Sequence, residues 1–137
     1  MFLDEAPDAM MATTLGGKII LWNRGAETLF GCSSAEAVGR QLSEVTVPPD
    51  RAGEEERLRL ETQSKGLITY ETIRRRQDGS LVYVSVSSKL VAAPDGLTHH
   101  GVRGLVQKHL AQFSGHPVLR LLLVPGVSHR AKQAAGC

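Results

Sequence analysis

The sequence is most informative first in what it lacks. Of its 137 residues only two are cysteine, Cys32 and Cys137, and they show no CxxC or Cys/His spacing. That excludes a disulfide framework or a zinc site, so the fold must rest on its own core. No apolar run approaches the roughly 20 residues of a membrane span, and the N-terminus is acidic where a signal peptide would be basic. We therefore expect a soluble chain in a reducing, cytoplasmic setting. No histidine precedes His99, and no Asp or Glu follows residue 96. HExxH, Gly-rich phosphate loops and a nucleophile beside an evident base are missing too, which argues against an enzyme.

The second absence divides the chain. Residues 1–96 carry 11 Lys+Arg against 14 Asp+Glu, whereas residues 97–137 carry five Lys+Arg and all five histidines without any acid. We read residues 1–96 as the folded body and 97–137 as an atypical basic tail. Its charges are spread too thinly, without interleaved aromatics, for a nucleic-acid contact. His99-His100 would point to opposite faces of a strand, a poor start for a metal site. A single domain of this length can bury about two thirds of its unfolded surface.

What is present reads as alternating short elements. Ala9 to Thr14 and Lys18 to Trp22 flank Gly16-Gly17 as a β-hairpin. Asn23 caps a helix carrying Ala26, Leu29 and Phe30 at helical spacing, stopped by Gly31. Ser33-Ser34-Ala35-Glu36 has the form of a capping box for a one-turn helix ending at Gly39. Leu42 and Val45 anchor a further turn before Pro48-Pro49. Asp50 to about Ser64 is rich in helix formers, with Asp50 as the cap and Glu54-Glu55-Glu56 on a solvated face. Leu67 to Arg76 and Leu81 to Val91 form a second hairpin around Gln77-Asp78-Gly79-Ser80, with Val82, Val84 and Val86 on one side of the latter strand. The order predicts an α+β fold with helices on one face of an antiparallel sheet. Two runs compete for a last strand: Leu97 to Val106, after the Asp95-Gly96 turn, and the compact apolar run Pro117 to Pro125.

Five fragments, in order and in register, resemble the PAS family of signal-transduction domains. They are Ala6-Pro7-Asp8-Ala9; Gly17-Lys18-Ile19 leading to Trp22-Asn23; Ala26-Glu27-x-Leu29-Phe30-Gly31; Glu36-x-Val38-Gly39-Arg40; and Arg75-Arg76-x-Asp78-Gly79-Ser80. The resemblance implies a five-stranded antiparallel sheet in the order 2-1-5-4-3, with helices over one face around a small cavity. The tail does not match the family's usual last strand, so the fifth strand is left to one of the two runs above.

The resemblance further implies a sensing and relay module of the kind attached to two-component kinases, cyclases or transcription regulators, acting through a small ligand, a homodimer or both. Residues we assign to the cavity are Phe30, Leu42, Leu60, Val84 and Val86, with Trp22 and Asn23 at the place a flavin would use. The cofactor is left unassigned. A haem of the family's type would want a histidine on the helix at 50–64, and none is there. A photoreactive flavin site would want a cysteine in an Asn-Cys-Arg-Phe-Leu-Gln motif, and Cys32 lies outside any such motif. Cys32 is read as a small packing residue rather than a redox thiol, and Arg74-Arg75-Arg76 as a solvated strand end. The alternatives are a protein-interaction or dimerisation module with a filled core and no ligand, and a flavin-dependent redox sensor using the Trp22-Asn23 region.

Overall fold

In the computed structural model, residues 8–91 and 119–125 are described. Strands β1 (Met10–Thr13) and β2 (Ile19–Trp22) are followed by helices α1 (Arg24–Phe30), α2 (Ser34–Ala37) and α3 (Leu42–Thr46). A 3-10 turn at Pro49–Arg51 then leads into α4 (Ala52–Lys65), and strands β3 (Leu67–Arg75), β4 (Leu81–Leu90) and β5 (Leu119–Leu123) complete the sheet.

Local chemistry explains the first half. The Asn23 side chain accepts from the Ala26 backbone N–H at 2.9 Å and from Met10 N–H at 2.8 Å, while its amide donates to the Asp8 carbonyl at 3.0 Å. One buried side chain thus caps α1 and ties it to β1. Gly31 closes the helix in the left-handed region at φ 72°, a conformation costly for any residue with a Cβ. At α2 the capping box is complete, with Ser33 accepting from Glu36 N–H and Glu36 accepting from Ser33 N–H. These bonds hold the Glu36 carboxyl below its ordinary range, the Ser33 backbone donor being the main cause. Asp50 does not cap α4; it lies inside the 3-10 turn, and the residue at the cap position, Arg51, makes no side-chain cap.

The sheet order is β2-β1-β5-β4-β3. Hairpins β1–β2 and β3–β4 are antiparallel, but β5 runs parallel to both its neighbours, pairing Met10–Thr13 with Arg120–Leu123 and Val86–Leu90 with Leu119–Leu123. The sheet is therefore mixed, which corrects the antiparallel expectation. A strand entering directly from a tight turn must run antiparallel to the one before it; residues 92–118 separate β4 from β5, ample length for a parallel return. The central place is filled from within the Pro117 to Pro125 run, while the other proposed run, Leu97 to Val106, and His99-His100 lie outside the described residues.

The main core lies between the helices and one sheet face. Met11, Val84, Val86, Leu119 and Leu121 project from the strands into it, meeting Ala26, Phe30, Ala37, Leu42 and Val45 from the helices. Asp8 and Arg120, both largely buried, pair at 3.1 Å and fasten β5 to the chain just before β1.

Candidate functional site

Two ends of this core differ in chemistry. Beneath α1 the packing is apolar: Phe30 is fully buried and its ring centroid lies 5.6 Å from that of Trp22. The Trp22 indole N–H donates to the Cys32 carbonyl at 2.8 Å, so its polar edge is already used. Cys32 is buried, and burial, with Glu36 nearby, pushes its thiol above the ordinary value, leaving it protonated at neutral pH.

Beneath α4 the core turns polar around a cavity of about 20 Å³, room for about one water molecule. Its apolar walls are Met11, Leu42, Val86, Leu119 and Leu121. Thr46, Glu55, Arg59, Tyr70, Arg74 and Ser88 supply the polar ones.

The polar groups are held in pairs. Arg59 donates through Nη1 to both oxygens of Glu55, each at 2.8 Å, one helical turn away. Arg74, buried on β3, donates to Glu54 at 3.1 Å and to the Thr72 hydroxyl at 3.1 Å; Thr72 in turn donates to Glu54. Arg51 completes this group with a 2.8 Å pair to Glu54. Burial alone would raise the Glu54 carboxyl, but the Thr72 and Arg74 hydrogen bonds and the Arg74 and Arg51 charges outweigh it and hold the group below its ordinary value. Tyr70 moves the other way, chiefly through burial, and keeps its proton. From α4, the Thr62 hydroxyl is hydrogen-bonded to the Ser88 hydroxyl at 2.9 Å.

Of the residues assigned from sequence, Leu42 and Val86 line the cavity. Phe30, Val84 and Trp22 belong to the surrounding core, and Asn23 is a fully buried cap. Leu60 is a correction: at 55% exposure it faces outward. Glu55, Arg59 and Thr62, spaced i, i+4, i+7, form the stripe of α4 that meets the sheet, and Leu60 falls one step off it. Two further readings are corrected with it. Glu54 and Glu55 turn inward rather than standing on a solvated face, and the arginine triplet is no solvated strand end. Arg74 is buried, Arg75 donates to the Glu44 carbonyl at 2.8 Å, and Arg76 donates to the Leu29 carbonyl at 3.1 Å. The one trace of the charged cluster in the sequence is Glu55 and Arg59 at i,i+4 on a helix with few apolar residues, a spacing that does not say which face is buried.

This arrangement leaves room for about one water molecule beside paired charges. Among the described residues, the lining of this cavity holds neither histidine nor cysteine.

The family described as PAS fold matches residues 2–108, well over half the sequence. The chain belongs to that family. Among curated proteins no sequence matches it. Among solved structures, the PAS domain of a protein from Colwellia psychrerythraea is 31% identical, with 61% of this chain covering 70% of that one at a TM-score of 0.55. The PAS domain of a LuxR-family transcriptional regulator from Burkholderia thailandensis, solved in complex with ethanol, is 24% identical, covering 62% of this chain and 75% of that one at 0.53. The PAS domain of an HTR-like protein from Haloarcula marismortui is 23% identical, over 62% and 74% of the two chains at 0.52. The last two show the PAS fold alone. The PAS match ends at residue 108, short of the strand that completes this sheet.

Proposed function

We propose that the chain is a non-enzymatic signal-sensing and relay module, in which a small polar ligand enters the cavity beneath α4 and shifts the packing of that helix on the sheet. The observation that carries this reading is the paired-charge lining. Ion pairs at Glu55–Arg59 and Glu54–Arg74 are exchangeable for ligand contacts in a way that a hydrocarbon core is not. The output passes to a homodimer partner or to an attached effector of the bacterial two-component, cyclase or transcription-regulator kind, for which PAS domains of regulators are the precedent. The buried free thiol of Cys32 suits a reducing, cytoplasmic compartment, and no helix among the described residues is long and apolar enough to cross a membrane.

A second reading, an interaction module with nothing bound, is favoured by the size of the cavity, with room for about one water. Native and denaturing mass spectrometry of the purified chain, with its absorbance spectrum, separates the two. A released small mass supports sensing. No released mass, together with no saturable response to a library of small polar metabolites, leaves the interaction module.

A further inference from the structure

Arg59 is held in an incomplete way. The Glu55 carboxylate engages Nη1 alone with both its oxygens, and the Arg59 Nε–H is buried without a hydrogen-bond partner. A guanidinium edge is built to meet a carboxylate with two parallel hydrogen bonds, and a buried donor left over is unfavourable. The internal partner therefore uses Arg59 less well than a free carboxylate placed along the Nε edge would.

The remaining walls define what such a carboxylate carries. Met11, Leu42 and Val86 supply apolar walls beside the polar Thr46, Tyr70, Arg74 and Ser88, so a short alkyl chain on the carboxylate would have apolar surface to meet. The present space suffices only for a water, but turning the Glu55 side chain outward vacates the volume of its own CH2–COO⁻ end. Glu55 lies in the first turn of α4, where a solvated carboxylate is still favoured by the helix N-terminus.

We propose that the cavity takes a small organic monocarboxylate of two or three carbons, bound by Arg59 in place of Glu55. This rests on the sensing reading above and names its ligand class. The exchange is also linked to the sheet. A Cβ on Gly17 would lie 2.7 Å from Arg59 Nη1, and Gln63 donates to the Leu15 carbonyl at 3.2 Å, so α4 touches the β1–β2 turn through two side chains. A shift of Arg59 is thereby felt at Gly17.

The test is a calorimetric and ¹⁵N-NMR titration of the full chain with sodium acetate and sodium propionate. Acetamide, ethanol and sodium chloride serve as controls at matched ionic strength. The expected result is saturable binding of both carboxylates with movement of the Gly17 amide, and no saturable response to chloride or acetamide. Arg59→Gln should weaken acetate by about tenfold or more, the loss of a charge-assisted pair. Glu55→Gln, which removes the internal competitor's charge, should tighten it by several-fold. Binding of acetamide or ethanol as tight as acetate, or an unchanged affinity in a folded Arg59→Gln chain, would overturn the carboxylate assignment while leaving a sensing cavity. Should Arg59→Gln fail to fold, unchanged or weaker binding in Glu55→Gln overturns it instead. No saturable binding of acetate or propionate overturns the carboxylate assignment; the sensing reading beneath it falls only if the wider library of small polar metabolites also gives no saturable response.

Discussion

The two ends of the core share one sheet face and differ in what holds them. Under α1, Phe30, Trp22 and Cys32 pack without charge, and the one polar edge, the indole N–H, is spent on a backbone carbonyl. Under α4, Glu54, Glu55, Arg59 and Arg74 are drawn into the interior as pairs. The first end is fixed by shape, since a gap there has no substitute filling. At the second end each contact has an ionic alternative, so it can exchange partners without collapse. A relay needs both: a rigid half to hold the sheet and a half whose bonds can be traded.

Mutations can break that contrast. The largest loss is expected for Phe30→Ala, about 3–5 kcal/mol from the cavity left in a fully buried site, read as a lower urea midpoint and melting temperature. Arg74→Leu should cost about 2–4 kcal/mol, because it strands the partly buried Glu54 carboxylate, and Arg74→Leu combined with Glu54→Leu should recover much of it in a double-mutant cycle. Asn23→Ala should cost about 1–2 kcal/mol by removing the α1 cap and its ties to β1, seen as faster amide exchange at Met10 and Ala26. Leu60→Gln should change stability by less than about 0.5 kcal/mol, since the side chain is mostly in water.

Acid sharpens the same comparison. The Glu54 carboxyl is held below its ordinary 4.5, so the native state favours its charged form. The stability it contributes is full above that value and is lost as pH falls through the lower native pKa. Glu54→Gln should therefore destabilise most near neutrality and progressively less below about pH 4.5, measured as midpoint against pH. Phe30→Ala should show no such convergence.

The α1 end was legible in the sequence because each of its signals has a local cause. The Asn23 cap on Ala26, Gly31 and the Ser33–Glu36 box act on backbone groups within a few residues, as does Gly79, whose positive φ makes the β3–β4 turn. The α4 end was not. Glu and Arg at i,i+4 look the same whether the pair faces water or a sheet, and the burial of Glu55 is decided by which face of the helix meets β3 and β4. With few apolar residues to orient it, the exposed Leu60 was drawn into the cavity and the charges were left outside. The direction of β5 was equally hidden, because an apolar strand reads alike in either sense, and only its pairing with Met10–Thr13 and Val86–Leu90 decides it.

That late strand has a consequence for how the molecule comes together. Among the described residues, β1–β2 and β3–β4 are joined within the sheet only through β5, whose partners in β1 lie more than a hundred positions earlier in the chain. Both hairpins can close from nearby residues as soon as they leave the ribosome, but the seam between them waits for Leu119–Leu123. Such long-separation pairing makes for slow folding. It also leaves the facing edges of β1 and β4 open during synthesis, an interval in which the chain is most exposed to pairing with another copy or with a chaperone.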